Sequence, residues 1–197
     1  VRRREALAGI GSVGVLAGSG YLLRRELSPP ESRPTDGGST DDGASGEEAS
    51  GEDRETPGPP FTVETIDAPG STAGTVDVPD PGTVYLLEFF LTTCGTCRAS
   101  MPELAAANAE LEDVTLLSVL DPSYGADPSA DELREWWIEY GGEWAVGFDA
   151  SGALHDHYDV FGRPKTVVID GEGESHWRNH GRKSVDDLLA AVEGVEP

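Results

Sequence analysis

The sequence predicts an α/β fold, with a central sheet flanked by helices and one antiparallel edge. Three observations carry this. Short apolar runs alternate with helical patterns between residues 83 and 170. A Gly-rich turn then leads into a hairpin partner, and a short capped helix closes the chain. Strands alternating with helices build parallel pairs, whereas a hairpin adds an antiparallel one.

The elements follow in order. "FTVETI" at 61–66 alternates apolar and polar residues and reads as an edge strand. "TVYLLEFF" at 83–90 is almost continuously apolar, as a strand covered on both faces should be. A helix is expected from about Gly95 to Glu112, followed by a second buried strand, "VTLLSVLD", at 114–121. "DPSADELREWWIEYGG" opens on the capping residues Asp127 and Ser129 and closes at Gly141, the pattern of a helix. "TVVID" at 166–170 is a third strand, "SHWRNHG" its hairpin partner across "GEGE", and "SVDDLLAAVEG" a last helix. In that helix Ser184 and Asp187 form an acidic variant of the capping box.

Two regions precede this domain, which is expected to span residues 61–197. Residues 1–27 have a basic start, Arg2 to Arg4, and an uncharged stretch of 18 residues from Ala6 to Leu23. That succession fits an export signal, with a partial twin-arginine pattern, or an uncleaved membrane anchor. A buried core helix is a poorer fit, because the stretch contains five glycines. Residues 28–60 are Pro, Gly, Ser, Thr and acids with almost nothing apolar, the composition of a disordered tether.

Charge narrows the function. The chain carries 14 Lys+Arg against 37 Asp+Glu, a net charge of −23, with Lys165 and Lys183 its only lysines. So acidic a chain does not bind nucleic acid through phosphates. The acidity suits a solvated surface and resembles that of proteins from salt-loving organisms.

Cys94 and Cys97 are the only cysteines in 197 residues. They stand where a buried strand passes into a helix. Unpaired N–H groups and the helix dipole lower a thiol's pKa there, so Cys94 is placed to be a thiolate. Cys97, one turn on, is placed to attack a mixed disulfide at Cys94. A purely structural disulfide would close too short a loop to gain much. A zinc site would lack a second cysteine pair, although His176 and His180 are four apart.

The stretches "EFFLTTCGTCRASMPEL" and "YDVFGRPKTVVIDGEGE" resemble the TlpA/ResA family of exported, often membrane-tethered thiol–disulfide oxidoreductases. The resemblance covers about residues 61–195 and implies a thioredoxin-like fold. It makes Cys94 the attacking and Cys97 the resolving cysteine. Pro164 becomes the cis proline facing the disulfide, and Glu88 the buried acid that accepts a proton from Cys97. A solvated, edge-facing Glu88 is the alternative. Thr93, Gly95, Thr96 and Arg163 occupy positions that contact substrate in this reading. They depart from the family pattern: Thr93 replaces a tryptophan, the Gly95–Thr96 dipeptide lacks a proline, and Arg163 precedes Pro164 where a small or β-branched residue is usual. Arg163 either stabilises the Cys94 thiolate or pairs with a nearby acid. Pro102 marks a kink.

The resemblance further implies protein thiol/disulfide substrates, an upstream electron donor, no cofactor and no metal. A peroxidase of the peroxiredoxin type and a copper-binding chaperone share the fold, and they remain the alternatives. The cluster Trp136, Trp137, Tyr140 and Trp144 reads either as core or as a docking patch beside the cysteines.

Overall fold

The computed structural model describes residues 58–122 and 128–197. The expected leader, nearly all of the tether and the capping residue Asp127 lie outside the described residues. The described elements are β1 Phe61–Thr65, β2 Gly74–Val78, β3 Val84–Phe90, α1 Gly95–Glu110, β4 Val114–Leu120, α2 Ala130–Glu139, β5 Ala145–Phe148, α3 Ala153–His157, β6 Lys165–Ile169, β7 Ser175–His180 and α4 Val185–Val192. Among them, no helix is long and apolar enough to cross a membrane.

The strands form one mixed sheet in the order β2-β1-β5-β4-β3-β6-β7. Only β3·β4 and β4·β5 are parallel; β1 is antiparallel to both β2 and β5, and β6 to both β3 and β7. The antiparallel pairing therefore lies on both sides of the parallel centre and not on one edge. The expectation that 61–66 forms an edge strand is corrected as well. β1 sits one place in, and β2 is the edge. Alternation reports that one face of a strand is wet, and a strand with two neighbours can also have one wet face.

β3 is buried at all seven positions and splits the core in two. Its even-numbered apolar residues, Val84, Leu86 and Phe90, pack with Cys97, Met101 and Leu104 of α1 and Leu188 of α4. The odd-numbered residues, Tyr85, Leu87 and Phe89, face the opposite layer with Leu154, Tyr158 and Val160. This is the period-2 rule of a strand acting on a segment with no polar face to spare. The one charged residue in the run, Glu88, belongs to the first face.

The helices start as their sequences specify. Ser129 caps α2 and Ser184 caps α4, each completed by an acid three residues on, Glu132 and Asp187. Each box satisfies backbone donors that would otherwise be orphaned. Pro102 lies inside α1 without ending it, although it gives up its own helical N–H bond. Two elements depend on glycine. A Cβ on Gly147 of β5 would stand 2.4 Å from the Glu64 carbonyl oxygen of β1, so the β1–β5 approach requires a bare backbone. Gly152, at φ +72°, provides the left-handed turn that starts α3.

Candidate functional site

The parallel strands β3, β4 and β5 end at the same side of the sheet, and the segment after β3 carries the cysteines. After β3, Cys94 takes the N-cap position of α1, with φ −82° and ψ 111°. Its Sγ accepts a hydrogen bond from the Cys97 backbone N–H at 3.1 Å. Its own N–H donates to the Leu91 carbonyl, and its carbonyl accepts from the Arg98 N–H. The sulfur that caps the helix is thus held where N–H groups and the dipole stabilise negative charge.

Cys94 and Cys97 are joined in a disulfide, with Cα atoms 5.2 Å apart. Their exposures differ. Cys97 is fully buried against the apolar layer under α1, while Cys94 is half-buried and opens toward solvent. Thr93, Gly95 and Thr96, the residues around Cys94, are exposed. Ser100 donates its hydroxyl to the Thr96 carbonyl at 3.0 Å and fixes the first turn.

Glu88 lies six residues before Cys94 in the middle of β3, level with Ser118 of β4 and Thr166 of β6. It is 1% exposed, and the Ser118 hydroxyl beside it is too poorly aligned to make a full hydrogen bond to either carboxylate oxygen, though near enough to lower its pKa. Burial pushes its pKa from 4.5 to about 8, and the neighbouring Ser118 offsets part of the shift. The Ser118 hydroxyl itself accepts from Trp144 Nε1 at 2.9 Å.

Pro164 follows a cis peptide bond from Arg163 and enters β6, beside the C-terminal end of β3. It is buried, and its carbonyl accepts from the Gly181 N–H at 2.9 Å. Pro164 and Glu88 line one small cavity. Arg163 is folded inward. Its guanidinium donates to the Val160 carbonyl at 3.1 Å and lies 4.0 Å from the Asp121 carboxylate, with both side chains nearly buried.

The tryptophan cluster divides. Trp137 and Trp144 are core, in edge contact with ring centroids 4.8 Å apart. Trp136 is only half-buried and donates its Nε1–H to the Thr92 carbonyl at 3.1 Å, which brings α2 against the loop that carries Cys94. The Tyr140 ring lies tilted against it with centroids 4.9 Å apart, and the Arg98 guanidinium lies 5.9 Å from the Tyr140 ring centre. Phe161, three residues before Pro164, is 83% exposed.

Some polar residues at this end of the sheet escaped sequence reasoning. Asp121 and Asp149, just after β4 and β5, are both buried. Asp149 accepts from the Nδ1 and backbone N–H of His155, each at 2.9 Å, and from the Ser151 hydroxyl. Nothing in the local sequence distinguishes these acids from the many on the surface. Among the described residues, no group of three or more His, Cys, Asp or Glu side chains gathers to hold a metal ion.

Residues 54–192 match the family model described as Redoxin. The chain belongs to the Redoxin family. Among curated relatives, this Redoxin chain is 32% identical over 126 residues to the thiol:disulfide interchange protein DsbE of Escherichia coli K12, and the match spans 64% of each protein. It is 26% identical over 116 residues to the thiol-disulfide oxidoreductase ResA of Oceanobacillus iheyensis, spanning 59% of each. The Redoxin chain therefore aligns with less than two thirds of the length of these relatives. Among solved structures, a secreted Mycobacterium tuberculosis disulfide oxidoreductase superimposes with a TM-score of 0.56 at 21% identity, covering 69% of this chain and 96% of that one. The fold of the Redoxin domain is thioredoxin-like.

Proposed function

We propose that this protein is an extracytoplasmic thiol–disulfide oxidoreductase, acting as a reductase of protein disulfides. The observation that carries the reading is the asymmetry of the cysteine pair: Cys94 caps α1 and opens to solvent, whereas Cys97 is buried one turn behind it. The family membership and the names of the relatives DsbE and ResA support the same chemistry.

In the reduced protein the Cys94 thiolate attacks one sulfur of a substrate disulfide. A Cys94–substrate disulfide forms and the first substrate sulfur leaves as a thiolate, to be protonated by water. Cys97 then gives its proton to Glu88, and its sulfur attacks Cys94 Sγ. The Cys94–Cys97 disulfide forms and the second substrate sulfur leaves. The substrate has gained two electrons and the cysteine pair has lost two. An upstream dithiol donor returns the pair to its reduced form. The exposed Thr93, Gly95 and Thr96 around Cys94 meet the substrate, and the cis Pro164 supports this end of the sheet. Residues 1–27 carry the protein to or across the membrane and 28–60 space the domain from it; the basic, uncharged, then acidic succession supports this.

The test uses the full chain with a disulfide-bonded protein such as insulin as substrate. Wild type should reduce it in the presence of a dithiol, and Cys94→Ser should not. Cys97→Ser should accumulate a mixed disulfide through Cys94. Peroxide consumption without disulfide reduction would replace this reading with a peroxidase, and stoichiometric copper binding without either would replace it with a metal carrier. Cell fractionation tests location: a soluble cytoplasmic protein with residues 1–27 intact would contradict it.

A further inference from the structure

The negative charge of the domain is unevenly spread. Residues 61–197 contain 26 Asp and Glu against seven Lys and Arg. Three segments hold no acid at all: 89–102, 160–169 and 175–185. The same segments hold six of the seven cations, Arg98, Arg163, Lys165, Arg178, Arg182 and Lys183. The seventh, Arg134, is on α2.

These segments are far apart in sequence but meet at the cysteine end of the sheet. β6 lies between β3 and β7, with Lys165 opposite Phe89 on one side and His180 on the other. The Gly181 N–H reaches the Pro164 carbonyl, and Arg182 reaches Glu103 of α1. α2 meets this end through Trp136 and Tyr140, which contact Thr92 and Arg98. Most of the cations here are already engaged. Arg163 and Lys165 turn inward to backbone carbonyls, Arg178 and Arg182 pair with Asp159 and Glu103, and Lys183 is half-buried. Arg98 is different. It is exposed, and among the described residues no carboxylate pairs with it. A Cβ on Gly95 would stand 3.7 Å from Arg98 Nη2, so the guanidinium lies beside the turn that carries Cys94.

We propose that this end of the domain selects acidic polypeptides: the substrate disulfide lies among Asp and Glu residues, and Arg98 is the side chain that meets them. The inference rests on Cys94 being the cysteine that attacks. Over most of its surface the domain repels an acidic partner. At physiological salt such repulsion fades beyond about 8 Å, so the charges close to the reacting sulfurs decide the encounter. A surface free of acids lets an acidic chain approach Cys94, and Arg98 supplies the counter-charge there. A basic chain is instead drawn to the acidic surface away from the cysteines.

The experiment uses the reduced full chain and three peptides, alike except for Glu, Gln or Lys on both sides of a single cysteine. Each peptide is joined in a disulfide to a chromogenic aryl thiol. Cys94 attacks the peptide sulfur, the Cys94–peptide disulfide forms, and the aryl thiolate leaves as the coloured product. Each rate is divided by that of 2-mercaptoethanol with the same peptide, which removes differences in the peptides' own reactivity. At about 0.15 M salt the Glu peptide should react roughly tenfold faster than the Lys peptide, with the Gln peptide between them. Arg98→Gln should remove most of that preference, and Arg134→Gln should leave it unchanged. Equal rates, or a faster Lys peptide, would overturn the inference and leave the exchange chemistry standing. A preference that survives in Arg98→Gln would overturn it as well. If Arg98→Gln slows all three peptides alike, Arg98 acts on the Cys94 thiolate and not on the partner, and the inference falls. No colour from any peptide would refute the exchange reaction itself.

Discussion

Glu88, within β3, and Asp149, just after β5, are both buried acids, and their surroundings treat them in opposite ways. For Asp149, burial alone would raise the pKa, but the His155 ring, the His155 N–H and Ser151 outweigh it and hold the carboxyl below its usual range. Glu88 has only the neighbouring Ser118 hydroxyl to set against burial, and burial raises it to about 8. The first acid is a brace: it ties the end of β5 to α3. The second is kept poised to gain and lose a proton near neutral pH, which is what an acceptor for a thiol needs. A buried acid is thus not a signature of function by itself. The number of donors that reach each carboxyl makes the difference in pKa.

The largest expected effect is on the brace. Asp149→Ala leaves the ring and backbone N–H of His155 without their acceptor and should cost roughly 3 kcal/mol of stability, read as a shift in the urea midpoint. Disulfide reduction per folded molecule should stay near wild type. A large loss of activity in the folded fraction would erase the distinction between the two acids.

Glu88→Gln should do the reverse. The fold should lose little stability, while closure of the disulfide by Cys97 should slow by about 100-fold or more, measured as release of the second thiolate when the reduced chain reacts with a chromogenic aryl disulfide. A rate within a fewfold of wild type would show that Cys97 loses its proton elsewhere.

Stability against pH separates the same two groups in the oxidised protein. Glu88 has its folded pKa raised above the unfolded value. Its contribution is full below about pH 4.5 and is lost as pH rises through about 8. Asp149 has its folded pKa lowered, so its contribution is present above the usual 3.8 and is lost only as pH falls through the depressed value. Between pH 5 and 8 the wild type should therefore lose up to a few kcal/mol, and Glu88→Gln should flatten that slope while Asp149→Asn should not.

How far the sequence foretold this depended on length and on pattern. The β3–α1 junction was legible because seven buried residues and a capping cysteine leave little else to build. The Ser184–Asp187 box and the Ser129 cap were legible because their chemistry is local, whereas the return bond from Glu132 was not read from the sequence. β2, β5 and α3 were missed. "GTVDV" has too few apolar residues to stand out, and "AVGF" is four residues with a glycine whose reason is the distant Glu64 backbone. α3 is a single turn that no side chain caps. At the site, the cysteines and Glu88 stood out by position, whereas the brace of Asp149 and His155 exists only through tertiary packing.

The smallest effect belongs to Arg163. Its guanidinium lies near Asp121 and bonds the Val160 carbonyl, so its field at Cys94 is partly cancelled. Arg163→Ala should make the potential of the cysteine pair more negative by no more than about 30 mV, measured by equilibration with a dithiol couple. Because the side chain is nearly buried, added salt should change this less than it would for an exposed charge.

The central claim is that Cys94 attacks and Cys97 resolves. It is tested most directly by alkylating the reduced full chain with limiting reagent at mildly acidic pH and locating the label by mass spectrometry. The half-buried Cys94, held at the start of α1, should be labelled first and Cys97 hardly at all. Faster labelling of Cys97 would reverse the assignment and contradict the account.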